Sequence, residues 1–257
     1  MNGRDSVRIS VFDDLQALSH GAAELFRSLS RTAISAKGRF AVALSGGTTP
    51  RLLYALLGSA SYQNTIDWRR VHLFWADERC VPPDHPASNY GLVHDTLLEN
   101  IPMPESNVHN VQGEADPEVA ARAYEQNIEA FYGTVTIPSF DLIILGLGVD
   151  GHTASLFPGS AGVLEAARLA IPVYLKDPQV NRVTLTLTVL NHASQVLFLA
   201  AGRAKARVLQ NILYEGNSEG YPAGLVLTEH GTVAWYLDRE AAGSTPGNAM
   251  PLKEFYR

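Results

Sequence analysis

The sequence contains a single cysteine, Cys80. No intramolecular disulfide can form, which fits a reducing compartment, and zinc clusters built on several thiolates are excluded. Positive charge is also scarce: 20 Lys and Arg stand against 26 Asp and Glu, a formal net charge of −6, and only four of the cations are lysine. That balance argues against nucleic acid and anionic membranes as partners, because both reward clustered cations. An acidic protein can still bind an anion, provided a few Arg or Lys and some backbone N–H groups gather locally. Long apolar runs are missing too. The stretch from Asp141 to Val149 is among the most apolar and is too short to span a bilayer. Met1 to Asp5 has no apolar segment behind it and does not read as a signal peptide. A cytoplasmic protein is expected. No H-E-x-x-H or other compelling metal-ligand spacing occurs, so no metal is expected.

What is present suits a globular chain. With 257 residues, 46% hydrophobic and 18% charged, it can bury a sizeable core. Apolar, β-branched runs predict strands at Phe40–Leu44, Val71–Trp75, Leu142–Leu145, Val183–Leu187 and Val196–Ala200. Between them lie helical periodicities: Leu15, Leu18, Ala22, Leu25, Phe26 and Leu29 share a face, as do Ala120, Tyr124, Ile128 and Phe131. Gly202 to Leu213 predicts a third helix. Strands apolar on both faces, each followed by a helix, imply an α/β fold with a mostly parallel sheet covered on two sides. No linker divides the chain, and residues 1–257 are read as one domain. Val81 to Pro104 reads as a long loop with one helix near Tyr90–Leu98, and the tail after Ala241 as loosely held.

Three segments carry chemistry. The run from Ala41 to Pro50 (AVALSGGTTP) ends a strand and starts a helix. Gly46 and Gly47 let a ligand approach the backbone, Thr48 or Thr49 can cap the helix, and Pro50 suits its first position. Free N–H groups at such a helix start favour phosphate, although an ordinary strand–helix turn has the same composition. No Gly-Lys-Ser/Thr follows, so it is not a Walker loop. Next, Asp77-Glu78-Arg79 falls at the carboxyl end of a strand, where ligands of open parallel sheets bind. Arg79 can fork onto a phosphate and Asp77 can orient it or a sugar hydroxyl. Charges in a loop are more commonly a solvated cluster, and only position lifts this one.

The third segment, Gly146 to Pro158 (GLGVDGHTASLFP), contains a formal G-x-G-x-x-G. Pro158 limits a long crossover helix, and no acid sits about 20 residues on to hold a ribose, so a dinucleotide is not expected. His152 is the more informative residue. An imidazole at a strand's carboxyl end can take and return a proton near neutral pH. Asp150 can hold it in one tautomer or contact substrate. A lone histidine more often just bonds within its loop, and that reading covers the other seven, such as His72 and His85. Arg182 and Lys205 adjoin later strands and, taken singly, read as surface charges. A cation near a helix start, as at Lys205, is nevertheless unfavourable unless an anion binds. Gly216 to Gly220 matches G-x-S-x-G but follows a helix rather than a strand, so it is no nucleophile elbow.

Together, Leu44–Pro50, Asp77–Pro82 with Ser88-Asn89-Tyr90, and Gly146–Pro158 resemble the 6-phosphogluconolactonase family, in the family's order over nearly the whole chain. The first segment is shared with sugar-phosphate isomerases of the same fold. The resemblance implies a Rossmann-like, doubly wound sheet with helices on both faces, no cofactor, and a sugar-phosphate lactone as the small-molecule partner. It implies that Ser45, Gly46, Gly47 and Thr48 line the phosphate or sugar end, with Arg79, Arg182 and Lys205 supplying positive charge. His152 matches the family's general base and Asp150 its neighbour, while Asp77 and Asn89 match positions near substrate. Monomer and homodimer are both compatible with the sequence.

The implied reaction fits these residue types. His152 would deprotonate water for attack on the lactone carbonyl, backbone N–H groups or an arginine would hold the oxyanion, and the imidazolium would protonate the departing ring oxygen. A cyclic ester is activated enough to need neither a serine nucleophile nor a metal. The nearest rival, glucosamine-6-phosphate deaminase/isomerase, carries a Glu soon after Asp-Gly-His; here Ser155 to Pro158 occupy that region and no acid occurs until Glu165. A non-catalytic sugar-phosphate sensor normally carries a fused DNA-binding or partner domain, for which the sequence has no spare length or basic helix.

Overall fold

The computed structural model describes residues 7–133, 137–176, 179–215, 218–228 and 230–243. Its first elements are strand β1 (Val7–Phe12), helix α1 (Leu15–Lys37), β2 (Phe40–Leu44) and α2 (Thr48–Leu57). Then come β3 (Val71–Trp75), β4 (Asp77–Arg79), α3 (Asn89–Thr96), β5 (Val108–His109) and α4 (Pro117–Tyr132). They are followed by β6 (Leu142–Gly146), β7 (Ala170–Val173), β8 (Arg182–Leu185) and α5 (Leu187–Asn191). The last are β9 (Gln195–Ala200), α6 (Ala206–Leu213), β10 (Thr232–Asp238) and α7 (Arg239–Ala242). The tail expected to be loose lies, beyond Gly243, outside the described residues.

Seven strands form one sheet in the order β1-β10-β9-β6-β2-β3-β5, and every pairing in it is parallel. All five residues of β2 are buried, as a strand covered on both faces requires. This is the mostly parallel α/β sheet expected from the alternating pattern, in the doubly wound order that the resemblance implied. From β2 the chain moves outward through β3 and β5; it then returns to β6 on the other side of β2 and winds out through β9 and β10. The direction reverses between β2 and β6. A crevice opens beyond the carboxyl ends of strands at such a switch point.

One expected strand behaves differently. The Val183–Leu187 run gives β8, which lies outside the parallel sheet and pairs antiparallel with both β4 and β7 in a small second sheet. Apolar content does not encode direction, and β8 is fixed by contacts distant in sequence, such as Leu185 N–H donating to the Ala76 carbonyl at 2.8 Å. The run also ends early, because residues from Leu187 onward enter α5.

Local signals set the long helices. Asp14 caps α1 by accepting from Ala17 N–H at 2.8 Å, and Gly38 ends it at φ 78. Asp116 caps α4, Pro117 opens it and Gly133 closes it at φ 63. Tyr124 on α4 anchors the end of β3: its hydroxyl accepts from Trp75 N–H and donates to Trp75 C=O, both at 2.7 Å. Both backbone groups lie where pairing with the two-residue β5 has ended. That bond fixes the point from which the chain enters β4.

Candidate active site

The first wall of the crevice is the turn after β2. Gly47 adopts φ 110, a conformation open to glycine, and caps α2, which starts at Thr48. Neither threonine side chain caps the helix, and Pro50 is its third residue, two positions later than the composition suggested. Tyr54 O–H donates to the Ser45 carbonyl at 2.6 Å and holds the turn down. Ser45 Oγ is buried and has no hydrogen-bond partner. At Gly46 a Cβ would overlap the Asn89 carboxamide and crowd the Arg79 guanidinium, so only glycine permits this approach.

The second wall is β4 with β8. Alternation along a strand puts Asp77 and Arg79 on one face and Glu78 on the other. These charges are not a solvated cluster: Asp77 is 5% and Glu78 2% exposed. Glu78 accepts from the backbone N–H groups of Arg79, Asn89 and Tyr90 at 2.6–2.7 Å, which ties β4 to the start of α3. Burial raises the Glu78 pKa against the pull of those three bonds. Asn89 lies in the lock so made. Its Nδ2 donates to the Asp77 carbonyl at 2.7 Å and its Oδ1 accepts from Arg79 Nη1.

Arg79 sits directly opposite Arg182 in the antiparallel β4–β8 pair. Like charges in that relation repel unless anions offset them. One offset is present: Asp77 Oδ2 is 3.9 Å from Arg182 Nη1 and accepts from Ser155 Oγ at 2.6 Å. Burial lowers the Arg182 pKa, partly countered by the attraction of Asp77. Arg182 Nε remains buried without a partner. The site therefore carries an unspent donor on one of two directly opposed arginines.

The third wall follows β6. Instead of entering a dinucleotide-binding helix, residues after Gly146 turn sharply. Gly151 takes φ 83, with the Tyr221 ring packed where a Cβ would project. His152 Nδ1 lies 2.6 Å from Asp150 Oδ1, and the same oxygen accepts from His152 N–H at 3.2 Å. At Asp150, burial acts to raise the pKa, but the backbone N–H, charge and ring of His152 outweigh it and hold the carboxylate below its ordinary value. Gly148 leaves room for the pair: a Cβ there would fall on both the imidazole and the carboxylate.

These walls enclose a cleft of about 360 Å³ at the switch point. Of the residues expected from sequence, Ser45, Gly46, Gly47 and Thr48 line it from one side. Asp77, Arg79, His152, Arg182 and Lys205 line the rest. Lys205 stands in a single turn of 3-10 helix just before α6, and burial lowers its pKa while Asp150 acts in the opposite sense. Asp150 and Asn89 are not on the lining. Asp150 backs His152, and Asn89, 1% exposed, spends its amide on Arg79 and Asp77. Sequence reasoning missed Glu78 and Ser155. Strand alternation around Asp77 and Arg79 could have marked Glu78 as inward-facing; no local signal marks Ser155, whose partner is 78 positions away. Ser218–Gly220 form a 3-10 turn, and Gly216 and Asn217 lie outside the described residues. Among the described residues no cluster of three or more His, Cys, Asp or Glu could hold a metal ion, and no helix is long and apolar enough to cross a membrane.

A family model described as glucosamine-6-phosphate isomerases/6-phosphogluconolactonase matches residues 13–235. The 6-phosphogluconolactonase of Homo sapiens is 40% identical over 237 residues, covering 91% of this chain and 92% of the relative. The solved 6-phosphogluconolactonase from Trypanosoma cruzi is 32% identical with a TM-score of 0.84, over 93% of this chain and 97% of that one. A monomeric glucosamine-6-phosphate deaminase has a TM-score of 0.77 at 24% identity over 91% of this chain and 98% of that one, a likeness of fold.

Proposed function

Since the chain belongs to the glucosamine-6-phosphate isomerase/6-phosphogluconolactonase family, we propose that it hydrolyses 6-phospho-D-glucono-1,5-lactone to 6-phospho-D-gluconate with His152 as general base. It is a lactone-hydrolysing enzyme of carbohydrate metabolism, in keeping with curated relatives that match 78% to 91% of its length. The single observation carrying the mechanistic reading is the 2.6 Å contact between Asp150 Oδ1 and His152 Nδ1 on the rim of the cleft. With Nδ1 engaged as donor to the carboxylate, Nε2 is the ring nitrogen with a free lone pair.

In this reading the phosphate binds at the Ser45–Thr48 turn, with Arg79, Arg182 and Lys205 supplying the countercharge. The turn offers backbone N–H groups and the unpaired Ser45 Oγ; the β4–β8 pair offers two guanidinium groups in opposition. Asp77 orients Arg182, and Asn89 orients Arg79. With the phosphate held, water beside His152 Nε2 loses a proton as it attacks the lactone carbonyl. The imidazolium, steadied by Asp150, returns that proton to the ring oxygen as the C–O bond breaks. No covalent enzyme intermediate is needed. Residues 1–257 act as one catalytic domain.

Deaminase chemistry is less well served. The first acid after His152 is Glu165. Its carboxylate accepts from Ala167 N–H at 2.7 Å and Arg168 N–H at 3.1 Å and is not part of the cleft lining. A lactonase assay run beside a glucosamine-6-phosphate deaminase assay separates the two. Only the lactonase assay should exceed its blank.

A further inference from the structure

After His152 the chain reverses within four residues. Thr153 Oγ1 donates to the Gly146 carbonyl at 2.9 Å and Leu156 N–H to the Thr153 carbonyl at 2.9 Å. Ala154 takes φ 48, the one positive φ outside glycine among the described residues. Such a conformation persists only where the surroundings over-determine it. They do here: Ser155 is locked to Asp77 and Leu156 is fully buried. The residue this turn delivers next is Phe157. Its ring centroid lies 4.8 Å from that of His152 with planes inclined at 42°, and Arg182 Cζ lies 5.6 Å from the same centroid. Both separations fall within the ranges of aromatic and cation–π contact.

We propose that Phe157 is a positioning residue that couples Arg182 to His152, so that phosphate binding raises turnover as well as affinity. The proposal rests on the lactonase reading and adds a residue that the reading does not use. Asp150 fixes the tautomer of His152, but a hydrogen bond at one nitrogen leaves the ring free to swing about that contact. The Phe157 ring bars one direction of that swing. Arg182 meets the same ring while its other contacts, Ser155 Oγ at 3.4 Å and Asp77 Oδ2 at 3.9 Å, are long and its Nε is unpartnered. An arginine so loosely held is finished by its ligand. When phosphate draws it into place, the guanidinium presses the Phe157 ring against the imidazole. Binding energy from the non-reacting end of the substrate is then spent on orienting the base.

A double-mutant cycle tests this, with kcat and KM for 6-phosphogluconolactone measured on the full chain and corrected for spontaneous hydrolysis. Phe157→Leu keeps an apolar side chain and is expected to lower kcat about 10- to 100-fold with a small change in KM. Phe157→Tyr, which keeps the ring, should stay within about threefold of wild type, an effect of the size seen for small surface changes. Arg182→Gln should raise KM and also lower kcat, and the kcat losses of Arg182→Gln and Phe157→Leu should overlap in the double variant rather than multiply. Phe157→Met replaces Phe157→Leu if the latter does not fold, as judged by circular dichroism. Multiplying kcat losses, an unchanged kcat in a folded Phe157→Leu or Phe157→Met, or a Phe157→Tyr as poor as Phe157→Leu would overturn the coupling. An inactive wild-type protein would instead overturn the lactonase reading itself.

Discussion

Asp150 Oδ1 and His152 Nδ1 lie 2.6 Å apart at the mouth of the cleft, on a turn with no space for a side chain at position 148. The carboxylate is held below its ordinary pKa by that histidine despite its own burial. At neutral pH the pair is therefore built to fix one tautomer and to stabilise an imidazolium when it forms. Asp150→Asn keeps the shape but can present its amide N–H to Nδ1 and favour the wrong tautomer. Turnover should fall about 100- to 10,000-fold, the usual worth of one acid–base group, with KM nearly unchanged. A variant with normal kcat and raised KM would move Asp150 into substrate binding.

Glycine substitutions test the geometry without replacing a reacting group. In Gly148→Ala the new methyl collides with the imidazole and the Asp150 carboxylate, whereas at Gly146 a Cβ meets nothing within 4 Å. Gly148→Ala should lose turnover on the scale of Asp150→Asn. Gly146→Ala should keep its thermal unfolding midpoint to within a few degrees, corresponding to a stability change of about 1 kcal/mol or less. Equal activity and stability in the two variants would mean that the turn adjusts freely.

Arg79 tests the phosphate end. Its guanidinium is pinned by Asn89, opposes Arg182 and lines the cleft. Arg79→Ala should weaken substrate binding by about 2–5 kcal/mol, as removal of a partly buried charged contact does. Inorganic phosphate should compete with substrate. Equal efficiency on gluconolactone with and without its phosphate would contradict this assignment.

The fold carries an acid-sensitive joint away from the site. His72 Nδ1 faces His109 Nε2 at 3.3 Å, and His109 Nδ1 is 2.9 Å from Asn127 Oδ1. Burial, with help from His109 and Arg39, pushes the His72 pKa from 6.5 down to about 4. Between those values the unfolded chain binds a proton that the folded chain refuses, so stability falls as pH drops through that window. Denaturant unfolding at stepped pH should show a slope that His72→Gln flattens. Identical slopes for both proteins would remove His72 from the cause.

The legible parts of the structure were those whose signal is local. All five residues of β2 are buried, and its apolar run said so; the spacing of Leu18, Ala22 and Phe26 gave the inner face of α1. Strand β1 was missed because Arg8 and Ser10 interrupt its apolar residues, and β5 because it has only two residues. The antiparallel course of β8 depends on β4, about a hundred residues earlier, and no composition reports it. The same division runs through the site. Loop motifs disclosed Gly46, Asp77 and His152, since each sits where a strand ends. Ser155 and Phe157 followed within the same motif but stayed silent, because their partners Asp77 and Arg182 reach them only through the fold.

The general base is the centre of the account, and His152→Ala tests it most directly. The base is separate from the turn at Ser45–Thr48, so the variant should fold and keep most of its affinity for phosphate. Single-turnover hydrolysis of 6-phosphogluconolactone, corrected against an enzyme-free blank, should fall about 100- to 10,000-fold. His152→Gln, which cannot take up a proton, should be nearly as slow. A folded His152→Ala protein that hydrolyses the lactone at close to the wild-type rate would contradict the account and shift the search for the base to Asp77 or Asp150.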